Sequence, residues 1–333
     1  MARRSWERRS FLKFAGGQAA AAVMAPAVWS GRQTGKGRKP ISPDEFRKRV
    51  RGPILSFPTP YQADFSIDYK AVRRIIERGL AAGVQVVTLT AGNNQYDILS
   101  YEEICRLTTV MVEAAAGKAV TIAAANNWWT KPIVEYAKFA ESAGADAVQV
   151  RIPSSGTDNG IYDLFKAIAD STRLNIVIHG QPSFDLMDRL ARIETVDGFK
   201  EEYVIEWSVP FYQRYGDKLA IFAGGTKSRF LEFQVYGMQA YYSTFSTFVP
   251  EFAMGFWKAV QNNDRDRIKE YVFKYDVPFF QRWRPGFWNA TLEHFGVAKR
   301  YLRPPQQGFD DEQMAELRSF YDGLGLRATG ARG

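Results

Sequence analysis

From residue 53 onward, short apolar runs bounded by Gly, Pro or Asn alternate with longer amphipathic stretches, and this alternation constrains the fold more than any other feature of the chain. Eight runs read as strands: ILSF (54–57), VQVVTLT (84–90), AVTIAAA (119–125), AVQVRI (147–152), NIVIHG (175–180), GFKEE (198–202), LAIFAG (219–224) and AYYSTF (240–245). Runs this apolar suit strands of a parallel sheet, which is covered on both faces. Between them lie helical patterns such as DYKAVRRIIERGLAAG, entered through Ser66 and Asp68 and closed by Gly83. Eight strands with seven intervening helices in under 200 residues predict an α/β fold, a (β/α)8 TIM barrel over residues 52–262. A doubly wound sheet would carry a Gly-rich turn after its first strand, and no G-x-G-x-x-G follows residue 57. Residues 263–333 continue as helical patterns, FWNATLEHFG and DDEQMAELRSFYDGLG among them, and read as a small C-terminal helical extension.

The net charge of +8 sits at one end of the chain. Residues 1–39 hold nine Lys or Arg against Glu7 alone, and the remainder balances 35 basic with 35 acidic residues. A body that is neutral overall offers no basic footprint for nucleic acid. Within the basic end, RRSFLKFAGGQAAAAVMAPAVW places Arg8-Arg9 before Phe11, Leu12 and Lys13, then an Ala- and Gly-rich apolar run, then small residues at Ala25-Pro26-Ala27. Residues 1–27 thus resemble a twin-arginine export signal, which implies the export machinery as a partner and a periplasmic or other extracytoplasmic location. An amphipathic cytoplasmic helix and an uncut membrane anchor are the other readings, and the run is short and Gly-rich for a spanning helix. Residues 28–51 read as a flexible basic linker. The single cysteine, Cys105, excludes an intrachain disulfide, and with only His179 and His294 no Cys- or His-based metal site is expected.

Barrels of this kind carry their active residues at the carboxyl ends of the strands. There the chain has AGNNQ (91–95), NNWWT (126–130), PSSG (153–156), HGQP (179–182), KEE (200–202) and GGT (224–226). Such a mouth lacks the clustered carboxylates a divalent metal needs, and suits an organic substrate held through a carboxylate. Lys200 has two readings. At the surface it would pair with Glu201 or Glu202; in an apolar mouth it would lose its proton more easily and act as an amine nucleophile toward a keto acid. Strand alternation sends Glu201 away from Lys200 and leaves Glu202 nearer the rim. The same alternation turns Trp128 and Trp129 opposite ways, at least one of them into packing.

With these motifs in order, the chain resembles the dihydrodipicolinate synthase and N-acetylneuraminate lyase family of Schiff-base aldolases from residue 53 to 325. TPY (59–61) matches the family's first-strand motif; AGNNQYDILSYEE matches its G-T-T-G-E-x-x-x-L-S-x-x-E segment, with Leu99, Ser100 and Glu103 in place. IVIHGQP matches the fifth-strand Y-N-x-P, DGFKEE the segment bearing the Schiff-base lysine, and FAGGTKSRFLEFQVYGMQAYYS the last two strands, Tyr242 included. The resemblance implies that Lys200 forms an iminium with pyruvate or another 2-keto acid, that no cofactor is needed, and that the protein is a homo-oligomer, dimer or tetramer. An aldehyde or a sugar acid is implied as a further substrate. Gly92 and Asn93 stand where the family has two threonines, so Asn93 with the backbone amides of Gly92, Asn93 and Asn94 is expected to hold the carboxylate. Ser154 and Ser155 replace the proton-shuttling tyrosine of the fourth strand, and the arginine that grips a second carboxylate nearby is missing. His179 stands at the fifth-strand tyrosine position, open to a role in proton transfer or to a structural hydrogen bond. Tyr242 is expected to line the substrate. A non-catalytic barrel that only binds a keto acid or sugar acid is the rival reading.

Overall fold

A computed structural model describes residues 38–326. The expected export signal and residues 28–37 of the expected linker lie outside the described residues. The elements run α1 (Pro43–Arg49), β1 (Gly52–Ser56), α2 (Tyr69–Ala81), β2 (Val86–Thr88), α3 (Tyr101–Ala115), β3 (Val120–Ala124), α4 (Thr130–Ala143), β4 (Ala147–Arg151) and α5 (Asp158–Ser171). They continue with β5 (Asn175–His179), α6 (Phe184–Leu190), β6 (Val196–Glu201), α7 (Ile205–Tyr215), β7 (Ala220–Ala223), α8 (Lys227–Gln234), β8 (Ala240–Ser243) and α9 (Pro250–Gln261). The strands pair in parallel, each with its successor, and β8 closes on β1, giving the expected (β/α)8 barrel.

Local chemistry sets the helix ends. Asp68 accepts a hydrogen bond from the Ala71 amide to start α2, and Ser100 with Glu103 forms a reciprocal capping box at the head of α3. The register fixes which side chains fill the barrel. Ile54, Val86 and Val120 are partners across β1 to β3, and together with Ile122, Ala147, Val177, Phe222, Ala240 and Tyr242 they form the interior core. Alternate residues such as Leu55, Val87, Ala123 and Val148 point outward under the helices and belong to the larger outer core.

The described part of the expected linker is instead built into the barrel. Pro43–Arg49 forms α1, capped by Ser42, and its Phe46 is fully buried with Val50 in the interior core. A Cβ on Gly198 would lie 3.3 Å from Phe46 and 2.8 Å from Val177, so a glycine in β6 admits the ring. Arg47 pairs with the buried Asp197, and Arg38 with the buried Asp146, so cations that read as a solvated run neutralise carboxylates at the amino ends of the strands. Phe46→Ala is expected to destabilise the protein by about 3–5 kcal/mol, the usual cost of removing a buried phenylalanine. Chemical denaturation would measure it, and a loss below about 1 kcal/mol would mean that the barrel floor closes without the ring.

The C-terminal extension is α10 (Arg265–Glu270), a π-helical turn at Tyr271–Asp276, α11 (Val277–Gln281), α12 (Pro285–His294) and α13 (Asp311–Leu324). It shares the outer core: the ring of Phe248 lies 5.9 Å from that of Phe279 and 5.1 Å from that of Phe295. Between α9 and α10 the chain turns after Gln261, where Asn263 takes a positive φ of 52°.

Candidate active site

Three neighbouring strands end in a row of partners: Arg151 of β4 opposite His179 of β5, and His179 opposite Lys200 of β6. Lys200 is 7% exposed, so the surface reading of this lysine fails. A partner is present nonetheless. Glu202 turns back into the mouth, its Oε1 2.9 Å from Lys200 Nζ and its Oε2 2.9 Å from His179 Nε2. Glu201 faces the other way, as alternation requires, fully buried with Ser208, Arg229 and the Tyr203 amide. Gly224, just past β7, makes room for the inward glutamate, since a Cβ there would fall 2.1 Å from Glu202 Oε1.

The electrostatics follow from burial and from these contacts. Burial pushes the Lys200 amine below its ordinary range; Glu202 opposes that shift and the Arg151 charge adds to it. Burial likewise lowers the His179 imidazole, leaving it neutral at pH 7, while the hydrogen bond to Glu202 works against the shift. For Glu202, burial alone would raise the carboxyl, but the His179 hydrogen bond and the Lys200 charge override it and hold the group at about 2. An ionised carboxylate only accepts, so His179 Nε2 donates the proton and Nδ1 carries the lone pair. That Nδ1 is buried and has no hydrogen-bond partner among the described residues. The mouth therefore offers a desolvated amine, a neutral imidazole and a carboxylate that contacts both.

The other expected residues divide. Tyr242 lies inside the barrel with its ring 4.9 Å from Lys200 Nζ, and its hydroxyl donates to Gln149 Oε1 at 2.7 Å. Asn93 donates from its carboxamide to Ser56 Oγ at 2.8 Å, at the rim of the interior. The backbone amides of Asn93 and Asn94 do not face a ligand as expected: they donate to the Thr90 hydroxyl and the Thr90 carbonyl, at 3.1 and 3.0 Å. Asn94 is fully buried and its side chain accepts from the Thr90 amide, so it holds the turn, with exposed Gly92 at its tip. The C-terminal extension braces this turn, Gln306 Oε1 accepting from Gln95 Nε2 at 2.5 Å. Ser154 and Ser155 are exposed and line a cleft of about 600 Å³ beside Arg151, away from Lys200. Trp128 packs against Tyr101 and Tyr136, ring centroids 5.2 and 5.7 Å away, while Trp129 is 69% exposed at the cleft.

Sequence reasoning missed Arg151, although a period of two along AVQVR puts it on the face of Gln149; Glu202 was expected nearer the rim beside Lys200, and only its contact with His179 was not foreseen. One other lysine is buried among the described residues, Lys227, but it is tied to buried Asp276 at 2.6 Å and lies 4.2 Å from the Phe245 ring centroid. A second cleft of about 480 Å³, lined by Arg51, Gln85, Gln239 and Trp257 among others, opens near the amino end of β1, where Lys200 cannot reach.

A closed parallel barrel with this lysine-centred mouth falls in the class of (β/α)8 lyases. The sequence matches the model of the dihydrodipicolinate synthetase family over residues 49–322, and the chain belongs to that family. It is 28% identical over 302 residues to the probable 5-dehydro-4-deoxyglucarate dehydratase of Rhizobium meliloti (strain 1021), covering 85% of this chain and 99% of that protein. To the 4-hydroxy-tetrahydrodipicolinate synthase of Anaplasma marginale (strain St. Maries) it is 27% identical over 185 residues, 53% of this chain and 62% of the synthase. Among solved structures, dihydrodipicolinate synthase from Bacillus clausii superimposes with a TM-score of 0.76 at 20% identity, over 84% of this chain and all of that one, which is a likeness of fold.

Proposed function

We propose that this protein is a lysine-imine lyase that eliminates water from a hydroxylated 2-keto acid. The observation that carries this reading is the bridging position of Glu202, 2.9 Å from both the Lys200 amine and the His179 imidazole. The near full-length match to a protein described as a probable dehydratase supports elimination over condensation. In this scheme neutral Lys200 adds to the keto carbon, one proton is taken up from solvent and water leaves, giving an iminium that acidifies the neighbouring C–H. The Glu202–His179 pair, which faces Lys200, takes that proton. The pair returns the proton to the hydroxyl leaving from the next carbon, and one further water hydrolyses the iminium, freeing the lysine and the proton taken up at the start. The net change is the loss of one water from the substrate.

Borohydride reduction in the presence of hydroxylated 2-keto acids is the test. The reduced mass of the acid should appear on the peptide containing Lys200, and an adduct on Lys227 or on none would overturn the scheme. The site of action is proposed to be outside the cytoplasm, on the strength of Arg8-Arg9 and the run that follows. Replacing both arginines by lysine in the native host should leave the precursor in the cytoplasm, and an unchanged periplasmic fraction would refute export.

A further inference from the structure

We propose that Tyr242 is a further catalytic residue: the face of its ring holds the positive charge of the Lys200 nitrogen, first as ammonium and then as iminium, inside a desolvated barrel. This rests on the lysine-imine reading and assigns to that site a stabilising group that carries no charge of its own.

Lys200 Nζ has two contacts of different kinds. From the rim comes Glu202, at 2.9 Å, on a side chain 35% exposed. From the interior core comes Tyr242, buried, with its ring centroid 4.9 Å away. The ring is fixed in place. Its strand, β8, stands four places from β4 in the closed order of eight, so the Tyr242 hydroxyl, donating to Gln149 Oε1 at 2.7 Å, spans the barrel. Phe222 lies alongside, ring centroids 5.6 Å apart and planes 24° from parallel. Burial pushes the phenol up, so it stays neutral, and its proton is committed to Gln149; what Tyr242 offers the nitrogen is its π face. An aromatic face attracts a cation within about 6 Å of its centroid, and more strongly where water is excluded. The other buried lysine among the described residues has the same two kinds of partner: Lys227 holds the Asp276 carboxylate at 2.6 Å and lies 4.2 Å from the Phe245 ring centroid.

The ring and the carboxylate differ in what the reaction does to them. Glu202 with His179 takes a proton from the substrate in the proposed scheme, so its charge is neutralised part-way through, whereas the ring keeps its field throughout. Imine formation from the neutral amine makes one N–C bond. The keto oxygen leaves as water with one amine proton and one proton from solvent, and a cation stands where a neutral group stood. From the ammonium the nitrogen is a cation before and after, and no charge is gained. The ring therefore favours the adduct only above the pH at which Lys200 releases its proton; below it, both sides are stabilised alike. Glu202, His179 and Arg151 are the charged and titratable groups acting on this nitrogen, the β7 neighbour Phe222 is apolar, and a change at residue 242 alters none of them.

The test compares Tyr242→Leu with Tyr242→Phe in the intact protein, with pyruvate as probe. Brief borohydride pulses after equilibration, read as Lys200 adduct by mass spectrometry, give the half-maximal pyruvate concentration at each pH. In Tyr242→Leu that concentration should rise about 10- to 30-fold above the titration of Lys200 and stay within about twofold below it, and the pH at which it begins to climb should move down by about one unit. Tyr242→Phe keeps the ring and should retain most of the alkaline-side affinity. Should the leucine variant fail to fold, phenylalanines bearing one, two and three ring fluorines in place of Tyr242 give the same reading with little change of size. Each fluorine withdraws charge from the face, and the alkaline-side concentration should rise in that order. A rise equal at both pH values, a loss in Tyr242→Phe as large as in Tyr242→Leu, or no trend across the fluorinated series would overturn the role of the ring while leaving the imine intact. No adduct in the unaltered protein, with pyruvate or with any hydroxylated 2-keto acid, would overturn the imine reading and the role of the ring with it.

Discussion

Lys200→Ala is expected to lose both the borohydride adduct and turnover, the latter by roughly 10⁴-fold or more, as removal of a covalent nucleophile does. The size follows from the mechanism: without the iminium the C–H beside the keto group is not acidic enough for the Glu202–His179 pair to deprotonate. The fold should survive. Lys200 is one of three groups in a polar cluster, and its loss leaves Glu202 still bonded to His179 at the 35% exposed end of that cluster. Circular dichroism and the denaturation midpoint would confirm it. Catalysis persisting in Lys200→Ala would return the lysine to a structural role.

The second large effect separates imine formation from proton transfer. Glu202→Gln should still form the adduct yet turn over about 100-fold more slowly or worse, the usual contribution of a positioned acid-base pair. The sign of the pH effect is fixed by the contacts. Glu202 raises the amine against its desolvation. Without that carboxylate the amine loses its proton at lower pH, and the acid limb of the trapping profile should move down. A limb that moves up would mean that Glu202 does not face Lys200 in solution. His179→Ala should reproduce the turnover defect with trapping kept, and the double variant should be little worse than either single one, since the two groups act as a unit. Gly224→Ala is the companion test: its Cβ displaces Glu202 without altering any titrating residue, and it should give the same separation of trapping from turnover. Full turnover in Glu202→Gln would assign proton transfer to water or to another group.

The barrel was legible because each strand is a short apolar run closed by Gly, Pro or Asn, and eight such runs admit few arrangements. Lys200 was legible through its motif and its place at the end of the sixth run. The floor was not, because Phe46 stands alone among Asp44, Glu45, Arg47, Lys48 and Arg49, and one aromatic in five charges has the composition of a linker. The partners of those charges, Asp146 and Asp197, are far along the chain, and only the closed fold brings them near. The turn at Thr90–Asn94 was misread for a different reason: whether an amide faces a ligand or its own loop depends on backbone angles that residue types there leave open. The turn of Glu202 into the gap between Lys200 and His179 depends on the room left at Gly224, just past the seventh strand, and pairings of that sort are invisible until the strands are side by side.

The buried ring of Phe46 also sets an order of assembly. A chain made from its amino end has the ring ready before any strand exists, whereas the Val177 and Gly198 that receive it come from the fifth and sixth strands. Until those arrive the apolar group stays exposed, and incomplete barrels carry an open lower end, the kind of surface on which partly folded chains associate. Closing the floor is therefore a late, long-range event, of the kind that slows folding. A chain begun at residue 52, where the first strand starts, would keep every strand and the whole mouth and still lack the residue that tells a finished barrel from an unfinished one.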